Sequence, residues 1–142
     1  MSFFKYFQSA IIISIVLLSG LLKAESNAIP AISPVEAEQL FNKKKAVIID
    51  VREDSEWKEQ HIPGAIHIPL GQLPERLTEL KQYKDSPVIA QCRSGRRSAQ
   101  ASDVLKSAGF SYVYNMEGGL NAWDKAGLKT ELALDDTNSY NS

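Results

Sequence analysis

The sequence predicts a single α/β domain built on a mainly parallel sheet. Two observations carry this. Short apolar runs rich in β-branched residues alternate with segments patterned as helices. The run Ala46-Val47-Ile48-Ile49 is continuously apolar, as a strand buried on both faces must be. The chain length of 142 residues agrees, since one domain commonly takes about 100–150 residues.

The elements follow in order. Ser33, Pro34 and Glu36 predict a helix start: Ser33 caps, Pro34 suits the first turn, and Glu36 completes a capping box. Ala37, Leu40 and Phe41 form its apolar face. Residues 46–49 form the first strand, ended by Asp50-Val51-Arg52. Asp54 or Ser55 is expected to cap a short helix through Trp57 to Gln60, broken by Ile62-Pro63-Gly64. A short strand at 65–68 precedes a helix striped by Leu73, Leu77 and Leu80. Residues 87–90 form the next strand. Ser98 is expected to open a helix with Ala101, Val104, Leu105 and Ala108 inward, stopped at Gly109. Residues 112–114 form a third main strand. Gly118-Gly119 is a turn, and residues 120–126 a last short helix.

The first 24 residues have a different character. Lys5 gives a weakly basic start, and residues 10–22 are apolar apart from Ser14, Ser19 and Gly20. That run fits the roughly 7–15 residues of a signal-peptide core and falls short of the about 20 a membrane span needs. Ala24 offers a cleavage site, and Ser26-Asn27-Ala28 a second. The alternative is an uncleaved anchor, since Phe3, Phe4, Tyr6 and Phe7 extend the apolar stretch. The expected organisation is a cleaved signal at 1–24, a linker at 25–32, the domain at 33–130 and a polar tail at 131–142. The mature protein is then expected in the periplasm or outside the cell, with no stable membrane span. Without Lys5 and Lys23 the chain keeps 14 basic against 17 acidic residues, a net −3. That balance argues against general nucleic-acid binding, which wants a basic footprint.

The chain has one cysteine, Cys92, so it cannot form an internal disulfide. Such a thiol is either buried and inert or kept because it reacts. Its neighbours favour reaction. Cys92-Arg93-Ser94-Gly95-Arg96-Arg97 lies between a predicted strand and a predicted helix, where open α/β sheets bind their ligands. Gly95 permits a sharp bend, so successive N–H groups can form an anion nest. The following helix adds its positive dipole end. Arg93, Arg96 and Arg97 add fixed positive charge. Such surroundings lower a thiol from about 8.5 to about 3.5–7.5, and no histidine base is needed. Asp50 and Arg52 end a neighbouring strand and are expected to pair behind the site, with direct substrate contact the alternative. His61 and His67 flank a Pro-Gly turn and read as structural, as do Trp57 and Trp123. Nothing in the sequence calls for a metal or a cofactor.

Three stretches together resemble one family. Cys92 to Ser98 is similar to the active loop of the rhodaneses. Asp50-Val51-Arg52, Glu56-Trp57 and His61 to Pro69 look like that family's first signature. Met116-Glu117-Gly118-Gly119-Leu120-Asn121-Ala122-Trp123 looks like its last. The resemblance covers residues 33–129, with Gln60 a departure where the family usually has Gly. It implies a central, mainly parallel sheet with helices on both faces, and a ping-pong sulfur transfer through a Cys92 persulfide. It implies Arg93, Ser94, Gly95, Arg96 and Arg97 as substrate-binding and Asp50, Arg52 and Ser98 as supporting. The partners implied are a small sulfur donor such as thiosulfate and a thiophilic acceptor such as cyanide or a thiol. A sulfur-relay protein loaded by a partner is the alternative. A phosphatase of related fold would place Arg where Ser98 stands and His where Gln91 stands.

Overall fold

The computed structural model describes residues 27–133; the signal peptide expected at 1–24 and the tail from 134 onward lie outside the described residues. Five strands form one sheet: β1 (Ala31–Ile32), β2 (Val47–Asp50), β3 (Ile66–His67), β4 (Pro87–Gln91) and β5 (Tyr112–Met116). Their order is β1-β5-β4-β2-β3, and every pairing is parallel. Among the described residues four α-helices connect them, α1 (Pro34–Asn42), α2 (Asp54–Glu59), α3 (Leu73–Arg76) and α4 (Arg96–Ser107), and a fifth, α5 (Gly119–Lys125), follows β5. The α/β reading of the sequence, with its parallel sheet, is what the chain adopts.

Both sheet faces are covered, and the strands show why. Ile48 and Ile49, adjacent in β2, point to opposite faces and are each fully buried. Ile49, Val88, Ala90 and Val113 pack on one face with Leu73, Ala101 and Leu105 from α3 and α4. Ile48, Ile89 and Met116 pack on the other with Ala37, Leu120 and Trp123 from α1 and α5. Among the described residues no helix is long and apolar enough to cross a membrane.

Local signals held well where they were chemical. Ser33 and Glu36 form the expected capping box: the Glu36 N–H donates to Ser33 Oγ at 3.2 Å, and the Ser33 N–H to Glu36 Oε2 at 3.3 Å. Other boundaries moved. β1 lies inside the stretch read as linker; two residues are too few for a periodicity signal, and pairing with Asn115 and Met116 at the sheet edge defines it. The expected helix after Leu73 breaks into α3 and a 3-10 stretch, Leu77–Tyr83. Leu77 and Leu80, three apart, share one face in that tighter winding. At the other end, Glu131 forms an antiparallel bridge with His61, so the first residues read as tail pack on the segment after α2. Gln60 reinforces this, donating to Asp124 Oδ1 at 2.8 Å and Thr130 Oγ1 at 3.0 Å.

Candidate active site

β4 is the central strand, and Cys92 follows its last residue. The chain turns at Gly95, whose φ of 104° lies in the left-handed region that favours glycine. α4 then starts at Arg96, two residues before the Ser98 start expected. The turn folds the loop over its own thiol. Cys92 Sγ accepts the Gly95 N–H at 3.1 Å and lies 3.3 Å from Ser98 Oγ. The residue is 1% exposed, so it is both buried and held by donors. Burial pushes the thiol up, and the Ser98 hydroxyl with the N–H groups of Ser98, Gly95 and Ser94 pull it down. The donors win, and the thiol lies below its ordinary range.

Ser98 is itself positioned. Its hydroxyl donates to Asn115 Oδ1 at 2.6 Å, while Asn115 Nδ2 donates to the Gly95 carbonyl at 3.1 Å. The second bond fixes which way the amide points. Ser98 has one hydrogen and two acceptors in reach. It serves the thiolate by turning from Asn115 to Sγ, whereas the backbone N–H groups serve it without rearrangement.

The loop's carbonyls are fixed from the other side. The N-terminus of α5 presents the Leu120 N–H to the Cys92 carbonyl at 2.8 Å and the Asn121 N–H to that of Arg93 at 3.1 Å. Gln91 Nε2 also donates to the Cys92 carbonyl, at 2.8 Å. This approach needs Gly119. A Cβ there would fall on the Cys92 carbonyl oxygen and 2.6 Å from that of Arg93.

The arginines depart from expectation. Arg97 donates through Nη1 and Nη2 to Glu56 at 2.6 and 2.9 Å, and Arg93 through Nε at 3.0 Å. Glu56 lies on α2, which leaves the sheet at the same end because β2 and β4 are parallel neighbours. Arg97 above all, with Arg93 and the Glu53 N–H, holds the Glu56 carboxyl down to about 2. Two of three expected fixed charges are therefore paired. Arg96 is exposed and makes no ion pair among the described residues.

Asp50 and Arg52 form the structural pair expected, 0% and 1% exposed. Arg52 Nε and Nη2 grip the Asp50 carboxylate, with Nη2 at 2.6 Å. Nη1 and Nη2 also donate to the carbonyls of Glu56 and Gln60, at 3.3 and 2.7 Å. The pair thus fixes α2, and α2 carries Glu56. Trp57 stacks with the rings of both His61 and His67, at centroid separations of 3.7 and 4.7 Å. Neither histidine bonds to the Cys92 loop: His61 Nδ1 meets the Trp57 carbonyl and His67 Nε2 that of Arg52. Trp123 is a core residue, 2% exposed. Among the described residues no group of three or more His, Cys, Asp or Glu could hold a metal.

A profile of the rhodanese-like domain matches residues 33–126. The chain belongs to this family. It is 36% identical over 92 residues to GlpE of Coxiella burnetii, named a thiosulfate sulfurtransferase, covering 65% of this chain and 84% of that one. It is 38% identical over 99 residues to YrkF of Bacillus subtilis, provisionally named a sulfur carrier, covering 69% of this chain. The chain spans only about half of YrkF, 52% of its length. The crystal structure of a rhodanese-related protein from Thermoplasma volcanium superposes with a TM-score of 0.65 at 29% identity, over 72% of this chain and 98% of that one.

Within this rhodanese-like domain, sequence reasoning gathered Cys92, Arg93, Ser94, Gly95, Arg96, Arg97 and Ser98 at one strand end, and the structure keeps them together there, with Arg96, Arg97 and Ser98 in the first turn of α4. It missed Glu56, Asn115 and the backbone of Leu120 and Asn121 as site elements. Glu56 had a readable signal. A carboxylate just past β2 lies beside a basic loop just past β4 whenever those strands are parallel neighbours. Asn115 had none, since nothing in Tyr112 to Met116 marks one residue as facing the loop.

Proposed function

We propose that this rhodanese-like domain is a sulfurtransferase that moves a sulfane sulfur from a donor such as thiosulfate to a thiophilic acceptor through a persulfide on Cys92. The carrying observation is the set of donors around Cys92 Sγ, with the Gly95 N–H at 3.1 Å. Donors aimed at a sulfur favour its anion, and the thiolate is the nucleophile. In the first half-reaction the thiolate attacks the outer sulfur of thiosulfate. The S–S bond breaks, and sulfite leaves with its electron pair. In the second, cyanide or a thiol attacks the outer sulfur of the persulfide and returns the thiolate. The same N–H groups that hold the thiolate suit the terminal sulfur of the persulfide, which is also anionic.

Residues 1–24 support a periplasmic or secreted location, with the signal removed. There the domain would meet small sulfur donors directly, or accept sulfur from a relay protein. Intact mass tests the chemistry. Thiosulfate should add one sulfur atom's mass, cyanide should remove it as thiocyanate, and Cys92→Ser should do neither. A wild type that takes up sulfur from no sulfane donor, or a Cys92→Ser variant that still turns over, overturns the proposal.

A further inference from the structure

The sulfur chemistry makes no use of a carboxylate, yet Glu56 stands against two of the loop's three arginines. Its oxygens take both Nη groups of Arg97, at 2.6 and 2.9 Å, and Nε of Arg93 at 3.0 Å. That is the paired N–H face by which an arginine grips an oxyanion. The oxygens of thiosulfate would need the same N–H groups. Glu56 is ionised at neutral pH, because Arg97 first, and then Glu53 N–H and Arg93, hold it near 2 against the opposing effect of burial. The carboxylate is firmly placed, being 18% exposed on a helix whose backbone Arg52 ties to the buried Asp50. The negative charge of Cys92 adds to what Arg97 already faces. A dianion entering this site meets Glu56 and the thiolate, with Arg93 and Arg97 already paired; of the three arginines only Arg96 makes no ion pair among the described residues.

We propose that Glu56 sets donor specificity, occupying the oxyanion face of Arg97 and Arg93 so that the site takes sulfur from thiol-borne persulfides in preference to dianionic thiosulfate. This deepens the sulfur-transfer reading and rests on it. The transfer is balanced. The Cys92 thiolate attacks the outer sulfur of R–S–SH, the donor's S–S bond breaks, and R–S⁻ leaves with the electron pair. The outer sulfur and its proton stay on Cys92 as Cys–S–SH. A thiol-borne donor brings at most one negative charge to the transferring group and needs no oxyanion pocket.

Two readouts test it. The first is the ratio of Cys92 alkylation rates with iodoacetate and with iodoacetamide, which share a size and a leaving group, so access through the loop cancels. In Glu56→Gln this ratio should rise about tenfold, within the range one charge removed at contact distance produces; Glu56→Asp, which keeps the charge, should stay near wild type. The second is the ratio of kcat/KM for thiosulfate to that for glutathione persulfide, which should rise in step. A packing role alone would move neither ratio. An unchanged or lowered alkylation ratio in a folded Glu56→Gln protein overturns the proposal. Should that variant not fold, the wild type decides. Its alkylation ratio should not exceed that of free glutathione thiolate, and a tenfold excess overturns the proposal. Loading from neither donor overturns the sulfur-transfer reading and the substrate class with it, while the alkylation ratio still reports what Glu56 does. Loading with thiosulfate preferred equally in wild type and Glu56→Gln overturns the Glu56 proposal alone.

Discussion

The segments after β2 and β4 leave the same end of the sheet from adjacent parallel strands, yet opposite means hold them. After β4, the Cys92 loop is fixed through its backbone. N–H groups of its own turn surround the sulfur, and N–H groups of α5 hold the Cys92 and Arg93 carbonyls. After β2, the segment is fixed by side chains: the buried Asp50–Arg52 pair, whose remaining guanidinium N–H groups hold α2 by its carbonyls. The difference suits their tasks. The loop aims N–H groups at the sulfur, while its Arg93, Arg97 and Ser98 side chains bond outward to Glu56 and Asn115. The neighbouring segment supplies support, and through Glu56 it reaches back to Arg93 and Arg97.

Breaking the supporting side should cost most in stability. Arg52→Ala leaves Asp50 buried and unpaired. Removing one partner of a buried pair costs about 3–5 kcal/mol, to be read as a fall in the urea midpoint. The loop side should show its effect mainly in reactivity. Gly119→Ala places a Cβ against two loop carbonyls and keeps a φ of 56° that alanine resists. Strain and overpacking together should cost roughly 2–4 kcal/mol. Cys92 alkylation should also slow, because relieving the contact pulls α5 off the loop. A variant equally unstable but with normal Cys92 reactivity would show that α5 does not shape the site.

The two sides were unequally legible in the sequence. The Cys92 loop could be read because its chemistry is contiguous: a thiol, a glycine and the start of a helix within seven residues. The fold was legible for a similar reason, since the runs in β2 and β4 and the Ser33 box are local signals. The contacts between separate elements were less so. Glu56 meets Arg97 from 41 positions away, and Ser98 meets Asn115 from 17. The first follows once β2 and β4 are taken as neighbours, which the reading of Asp50 and Arg52 already did; the second depends on which residue of β5 faces the loop, which no local pattern states. Gly119 was read as a turn residue, whereas its larger role is the close approach to the Cys92 and Arg93 carbonyls. The pairing of Arg93 and Arg97 with Glu56 was missed for this reason: the carboxylate lies on another element, although Arg97 still feels the charge of Cys92.

The link between the two sides should respond to acid. Glu56 titrates near 2 in the folded chain against an ordinary 4.5, so its contribution to stability is present in full above about pH 4.5. It is lost as pH falls from there toward 2, because protonation in the unfolded chain comes first. The contribution is at most about 3 kcal/mol at neutral pH, since each tenfold difference in proton affinity between the folded and unfolded chain is worth about 1.4 kcal/mol, and solvent screening of the part-exposed arginines lowers it. Urea midpoints measured between pH 6 and 3 should fall less steeply in Glu56→Gln than in wild type. Equal slopes would mean that the link carries no net stability.

The central claim is that, against the opposing effect of burial, loop donors, the Ser98 hydroxyl first and the N–H groups of Ser98, Gly95 and Ser94 with it, lower the Cys92 thiol. The pH profile of Cys92 alkylation by iodoacetamide tests it most directly, run on wild type and on Ser98→Ala. The wild-type midpoint should lie below the value of about 8.5 for a free cysteine. Losing the Ser98 hydroxyl should raise it by up to about one pH unit, the equivalent of one hydrogen bond, with Asn115 still bound to the Gly95 carbonyl. A wild-type midpoint at or above that of free cysteine would contradict the account, because burial would then outweigh the donors and Cys92 would be an inert core thiol.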